Sequence, residues 1–130
     1  MGDREAVRRE TRVIQRVGHT MVVPLPANPD IAVAAALYKD VIAAVHHESP
    51  TAVIFDAAAT TLMDSRVASS LNNTARGIRL LGSIPILAGL SPALCSALTR
   101  LDIEFPDFAK TINLDRAFAV ASAAVSVNQS

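Results

Sequence analysis

Ile54-Phe55-Asp56-Ala57-Ala58-Ala59-Thr60-Thr61-Leu62-Met63-Asp64-Ser65 joins an apolar run, a small-residue loop and a helix start. Residues 51–55 (TAVIF) are continuously apolar and stop at Asp56, the pattern of a strand covered on both faces. The loop AAATTLMD follows. Ser65 then offers an N-cap for a helix whose Val67, Leu71, Ala75, Ile78 and Leu81 recur at helical spacing. Arg76 and Arg79 lie toward the negative end of that helix, and Gly82 supplies a stop.

Upstream, residues 11–17 and 19–25 are β-branched runs separated by Gly18, which predicts a hairpin. Pro24, Pro26 and Pro29 interrupt further pairing, and Asn28-Pro29 reads as a cap followed by proline at the first helical position. The helix that follows carries Ile31, Ala34, Ala35, Tyr38, Val41, Ile42 and Val45 on one stripe and ends near Ser49-Pro50. Residues 1–10 are charged, lack an apolar period, and are expected to be a flexible lead-in.

Downstream, residues 84–88 (IPILA) predict a second buried strand, and Ser91-Pro92 opens a third helix through about Leu101. Phe105-Pro106-Asp107-Phe108 reads as a turn, residues 111–114 as a short strand, and residues from Asp115 to about Val125 as a closing helix. Residues 126–130 remain as a tail. Alternation of strand and helix after a hairpin implies one α/β domain over residues 11–125, with a mixed sheet of about four or five strands and about four helices.

Composition narrows the function. The chain of 130 residues is 51% hydrophobic, enough to bury one core, and its 12 basic and 12 acidic residues cancel. A balanced charge provides no long-range attraction to nucleic acid. Aromatic residues make up only 4%, which suits closely packed layers better than an aromatic-lined ligand pocket. No apolar stretch approaches the roughly 18 residues of a membrane span, so a cytoplasmic protein is expected. The single Cys95 cannot form an internal disulfide, and its apolar neighbours Leu94 and Ala97 suggest a buried thiol.

Catalytic signatures are missing. Neither GxxxxGK[ST] nor GxGxxG occurs, so nucleotide binding through a phosphate-cradling loop is not expected, and no cofactor is implied. His46 and His47 are adjacent, whereas two ligands on one helical face sit three or four apart; a solvated helix end explains them better. No GxSxG elbow supports a hydrolase built on Ser65. Asp56 at a strand end matches the phosphoacceptor position of receiver domains, an alternative in which acetyl phosphate with Mg²⁺ would label it. Those domains hold Mg²⁺ with an acidic pair after the first strand, where this chain has only Asp30 nearby.

The run from Ile54 to Ser65 resembles the signature of the STAS family: apolar strand, Asp, short loop, then Asp-Ser opening a helix. Gly89-Leu90-Ser91-Pro92-Ala93-Leu94 looks like the family's turn after its next strand, and Asn113-Leu114-Asp115 through Phe118 like its closing helix entry. Within the family, Asp64-Ser65-Arg66-Val67-Ala68 is similar to the pattern of RsbS-type stressosome proteins. Generic anti-anti-sigma factors, which bind an anti-sigma kinase, instead follow the serine with a small residue and glycine. There are two departures: Arg66 stands where an apolar residue follows the serine, and Asp102 where glycine commonly follows the third helix.

The resemblance implies a non-catalytic scaffold that assembles with itself or with RsbR-like paralogues and sequesters an RsbT-like serine kinase. It implies phosphorylation of Ser65, with Thr60, Thr61 and Ser69 as weaker candidates. The partner would contact Asp56, Ala57, Ala58, Ala59, Asp64, Ser65 and Arg66. Physically, a serine in the first turn of a helix is exposed at an element end, and a phosphoryl group there adds about −1.5 to −2 charges. A docked protein would then face a hydrated dianion whose desolvation is costly.

Overall fold

The computed structural model describes residues 14–129, with side chains through residue 124. The lead-in expected over residues 1–10 lies outside the described residues. The described elements are β1 (Gln15–Val17), β2 (Thr20–Pro24), α1 (Ile31–Glu48), β3 (Ala52–Asp56), α2 (Ser65–Leu80), β4 (Ile84–Ala88), α3 (Pro92–Arg100), β5 (Ala109–Thr111) and α4 (Leu114–Gln129).

The five strands form one mixed sheet in the order β1-β2-β3-β4-β5, antiparallel only between β1 and β2. The expected hairpin forms with Gly18 at φ 62° and Val17 opposite Thr20. Positive φ at the first of two turn residues alone is the type II′ geometry, whose twist matches that of the flanking strands. The remaining strands are parallel and joined by helices, as the alternation of patterns requires.

Strand periodicity divides the interior in two. On one face Met21, Val23, Val53, Phe55 and Leu87 pack with residues of α1, α2 and α3. On the other, Val22, Ile54, Ile86 and Ala88 pack with Ala117 and Ala121 of α4. Residues 52–55 are therefore buried on both sides, which is why they read as an unbroken apolar run. Phe55 is fully buried and meets Phe108 edge to face, with centroids 5.4 Å apart.

Several boundaries differ from expectation. The cap of α1 is Asp30, whose carboxylate accepts from the Val33 N–H at 2.8 Å, and not Asn28; proline stands before the cap. The buried stripe of α1 is Ala34, Leu37, Val41 and Val45, while Ile31 and Tyr38 are partly in solvent. Two registers fit the apolar pattern, and the sheet selects the one through Leu37. β5 begins two residues earlier than expected, and α4 runs to Gln129, taking in most of the expected tail. Cys95 is exposed, because Leu94 and Leu98 take the inward face of α3.

At the rim of the hairpin, Arg16 forms a two-pronged pair with Glu48 at the end of α1, at 2.6 and 2.8 Å. That pairing holds the Glu48 carboxyl below the usual carboxylate range, so its contribution is fully present above that range and is lost only as pH falls below it, through the lowered value of the paired carboxyl. Both side chains are solvated, which makes it a minor contribution.

Candidate functional site

Register brings Pro24, Asp56, Ala88 and Thr111 side by side at the carboxyl ends of the parallel strands. The ladder continues past them: Leu25 N–H donates to Asp56 O, Ala57 N–H to Ala88 O, and Gly89 N–H to Thr111 O. All four helices begin at this end. The carboxyl edge of a parallel sheet is where loops, freed from pairing, can present functional groups.

The loop over residues 57–64 is pinned at nearly every residue. Asp56 Oδ1 accepts from the Ala58 N–H at 3.0 Å, closing a turn directly after β3. Thr60 Oγ1 donates to Pro26 O at 2.9 Å, and the N–H groups of Thr61 and Leu62 both donate to Ala27 O. Gly89 supports the loop from the side: its φ is 82°, and a Cβ there would sit 3.2 Å from Ala58 N. Only glycine meets both conditions without displacing the loop.

These bonds sort the side chains. Ala57, Thr60 and Met63 turn inward and are at most 4% exposed, whereas Ala58, Ala59, Thr61 and Leu62 face solvent. Ala57 therefore belongs to the core and offers no contact surface, contrary to expectation. Thr60 is likewise enclosed, with its hydroxyl committed to Pro26 O, so it is inaccessible to a modifying enzyme. Thr61 is exposed and bonds weakly to Ala27 O at 3.3 Å. The feature missed from sequence is Leu62, which is 61% exposed. The apolar pair Leu62-Met63 contains no periodic signal telling which member points inward.

Asp64, not Ser65, caps α2: its Oδ1 accepts from the Val67 N–H at 2.9 Å and its carbonyl from the Ala68 N–H. Asp wins because the extended backbone at Asp64, φ −92° and ψ 172°, is the cap conformation. Ser65 becomes the first helical residue. It is exposed, and its hydroxyl has no hydrogen-bond partner among the described residues. Helix geometry leaves the Ser65 and Arg66 N–H groups without intrahelical acceptors, so the surface beside the hydroxyl is positively polarised. Arg66 and Ser69 are also exposed. Asp56 is half-buried behind the loop and uses one oxygen internally. Among the described residues no group of three or more His, Cys, Asp or Glu is placed to hold a metal ion.

Beside Ser65 runs a shallow groove of about 280 Å³ whose polar lining is Ser65, Ser69, Asn72, Arg76, Asp102 and Glu104. Asn72 Nδ2 donates to Glu104 O at 2.8 Å, joining α2 to the segment after α3. Asp102 stands there with φ 56°, ending α3 in a left-handed turn in which Asp102 N–H donates to Thr99 O and Ile103 N–H to Leu98 O. This is the position where the sequence departs from glycine. Asp102→Gly is expected to raise stability by up to about 1 kcal/mol, since a left-handed backbone costs a residue with a Cβ about 1–2 kcal/mol and the greater freedom of glycine in the unfolded chain offsets part of the gain; urea denaturation measures it.

A family model for the STAS domain matches residues 9–116. The fold is similar to that of a Ser→Glu variant of RsbS from Moorella thermoacetica, at 19% identity and TM-score 0.73, covering 87% of this chain and 96% of that one. A chain from a structure described as the molecular architecture of the stressosome, a signal integration and transduction hub, matches at 19% identity and TM-score 0.69, covering 86% and 97%. Unphosphorylated SpoIIAA, an anti-sigma factor antagonist, matches at 16% identity and TM-score 0.68, covering 85% and 95%. No curated protein matches by sequence. Among the described residues no helix is long and apolar enough to cross a membrane.

Proposed function

Because the chain belongs to the STAS domain family, we propose that it is a non-catalytic, cytoplasmic signalling module of the RsbS type. In this reading it assembles with copies of itself or RsbR-like paralogues, holds an RsbT-like serine kinase, and releases that kinase when Ser65 is phosphorylated. The observation that carries the reading is the exposed, unbonded Ser65 hydroxyl at the first residue of α2, on a loop held rigid from both sides. A kinase can reach this oxygen without unfolding the chain. The folds of RsbS and of a stressosome component support the assembly role.

The partner surface reduces to the exposed groups Ala58, Ala59, Asp64, Ser65 and Arg66, with Asp56 behind them as a loop support. Modification adds negative charge and a hydration shell to this surface while leaving the core untouched. Incubation with the RsbT-like kinases of the same genome and ATP, followed by mass spectrometry, is expected to place one phosphate on Ser65. Ser65→Ala is expected to remove it. Labelling that persists unchanged in Ser65→Ala moves the switch elsewhere. Sedimentation of the protein with an RsbR-like partner checks the scaffold role: large particles support it, and a strictly monomeric mixture excludes it.

A further inference from the structure

Among the described helices α4 alone packs on its face of the sheet, where Ala117 and Ala121, with Leu114 and Phe118 beside them, cover Val22, Ile54, Ile86 and Ala88. The opposite side of the helix faces solvent. Arg116, Ala119, Val120 and Ala123, spaced three and four apart on one stripe, are exposed there. They form one wall of an apolar groove of about 510 Å³ whose other wall is the end of β5 and Ile112, itself 77% exposed. Because β5 is the edge strand of the sheet, the groove lies open on that side.

The ends of α4 carry charge that the helix does not balance along this stripe. Arg116 places a cation in the first turn, where free N–H groups already polarise the surface positively, and the last turn has no basic residue to meet its free carbonyls. Asp115 offsets the first turn but lies about a quarter turn off the stripe. An antiparallel copy of α4, related by a two-fold axis passing between residues 121 and 122, answers both ends at once. Each Arg116 then meets the last turn of the other helix near residue 127, and Val120 of each copy faces Ala123 of the other. A branched side chain opposite a methyl group lets the two axes approach closely. A foreign helix would need the same three features in the same order, and α4 already holds them.

We infer that this face is a two-fold interface between copies of the chain, with α4 of each seated in the groove of the other. This rests on the assembly half of the reading above and is separate from the switch, since Ser65 opens α2, which packs on the other face of the sheet. One helix face is smaller than a standard interface, so the pairing is a reversible contact that a larger assembly reinforces.

Sedimentation velocity of the full chain from about 5 to about 500 μM is expected to show a monomer–dimer equilibrium. Val120→Glu is expected to weaken dimerisation at least about 30-fold and Arg116→Glu at least about tenfold, since each change is made twice in a two-fold contact. Leu80→Ser, at a leucine 87% exposed on α2, should leave it within about twofold. Arg116→Glu also separates the interface from helix stability: an acid in the first turn suits the dipole of α4, so the melting temperature of the dilute monomer should not fall while the dimer dissociates. A dimer equally strong in all variants overturns the inference. So does a wild type that stays monomeric alone yet enters particles with an RsbR-like partner, which gives the groove to the paralogue and leaves the assembly reading intact. A strict monomer in that mixture removes the assembly reading and this interface with it.

Discussion

Phosphoserine installed at position 65 is expected to weaken kinase binding by more than about 100-fold while shifting the melting temperature by no more than about 3 °C. The first half follows from where the oxygen lies. Ser65 is exposed and unbonded at the edge of the proposed contact, so a partner covering it must desolvate whatever it carries. A hydroxyl loses little on burial, whereas a dianion beside Asp64 costs several kcal/mol unless a cation meets it. A penalty of about 3 kcal/mol corresponds to the factor stated. The second half follows from the helix. The modified residue is the first of α2, where free N–H groups favour negative charge by about 0.3–1 kcal/mol, and Asp64 opposes this at short range. The two effects nearly cancel in the folded state, and the core is not touched. Site-specific incorporation of phosphoserine makes the experiment independent of any kinase activity, with calorimetry and thermal denaturation as readouts. Unchanged affinity would defeat the electrostatic release mechanism, and a collapsed dichroism spectrum would mean that release comes from unfolding.

How much of this was legible in the sequence depends on which forces decide each feature. The α/β class, the hairpin at Gly18 and the buried strands β3 and β4 were legible because each is written in local pattern: a glycine at the turn and continuous apolar runs. The mixed sheet with helices and an N-terminal hairpin is the architecture that forms. The register of α1 was not legible. Alanine dominates that helix, so its apolar face is broad, and contact with the sheet chooses Leu37 over Tyr38. The same holds for the cap of α2. Asp64 and Ser65 are both good capping residues, and the loop path set by Thr60, Thr61 and Met63 decides between them. The inward turn of Ala57 likewise depends on its bond to Ala88, and the outward turn of Leu62 on bonds to Pro26 and Ala27, all more than thirty residues away. Such long-range pins leave no trace in local spacing. Asp102 is a different case: the departure from glycine was visible, and the left-handed turn explains why glycine suits that place.

Truncation of Phe55 is expected to be the most damaging single change to the fold, costing about 3–5 kcal/mol. Phe55 is fully buried on β3, the central strand of the sheet, paired with Val23 on one neighbouring strand and Leu87 on the other. It meets Phe108 edge to face, and Phe108 in turn meets Phe105, so the ring joins the sheet to the segment after α3. Removing it forfeits the transfer energy of a whole ring, leaves a void that close-packed neighbours fill only in part, and breaks an aromatic pair itself contributing about 0.5–1.5 kcal/mol. A domain of this size has a total stability of about 5–15 kcal/mol, so Phe55→Ala should leave a substantial unfolded fraction near physiological temperature. Ile54→Val, one residue away on the opposite face against α4, removes a single methylene and should cost only about 0.5–1.5 kcal/mol. Urea denaturation of both variants checks the contrast: the midpoint should fall far more for Phe55→Ala, with the slope unchanged. The same experiment bears on the site, because Asp56 follows Phe55 directly and its bond to the Ala58 N–H starts the loop that presents Leu62 and Ser65. Loss of kinase binding in Phe55→Ala should therefore track the unfolded fraction as urea is added, and a loss greater than unfolding accounts for would mean that the ring also holds the loop in place in the folded state.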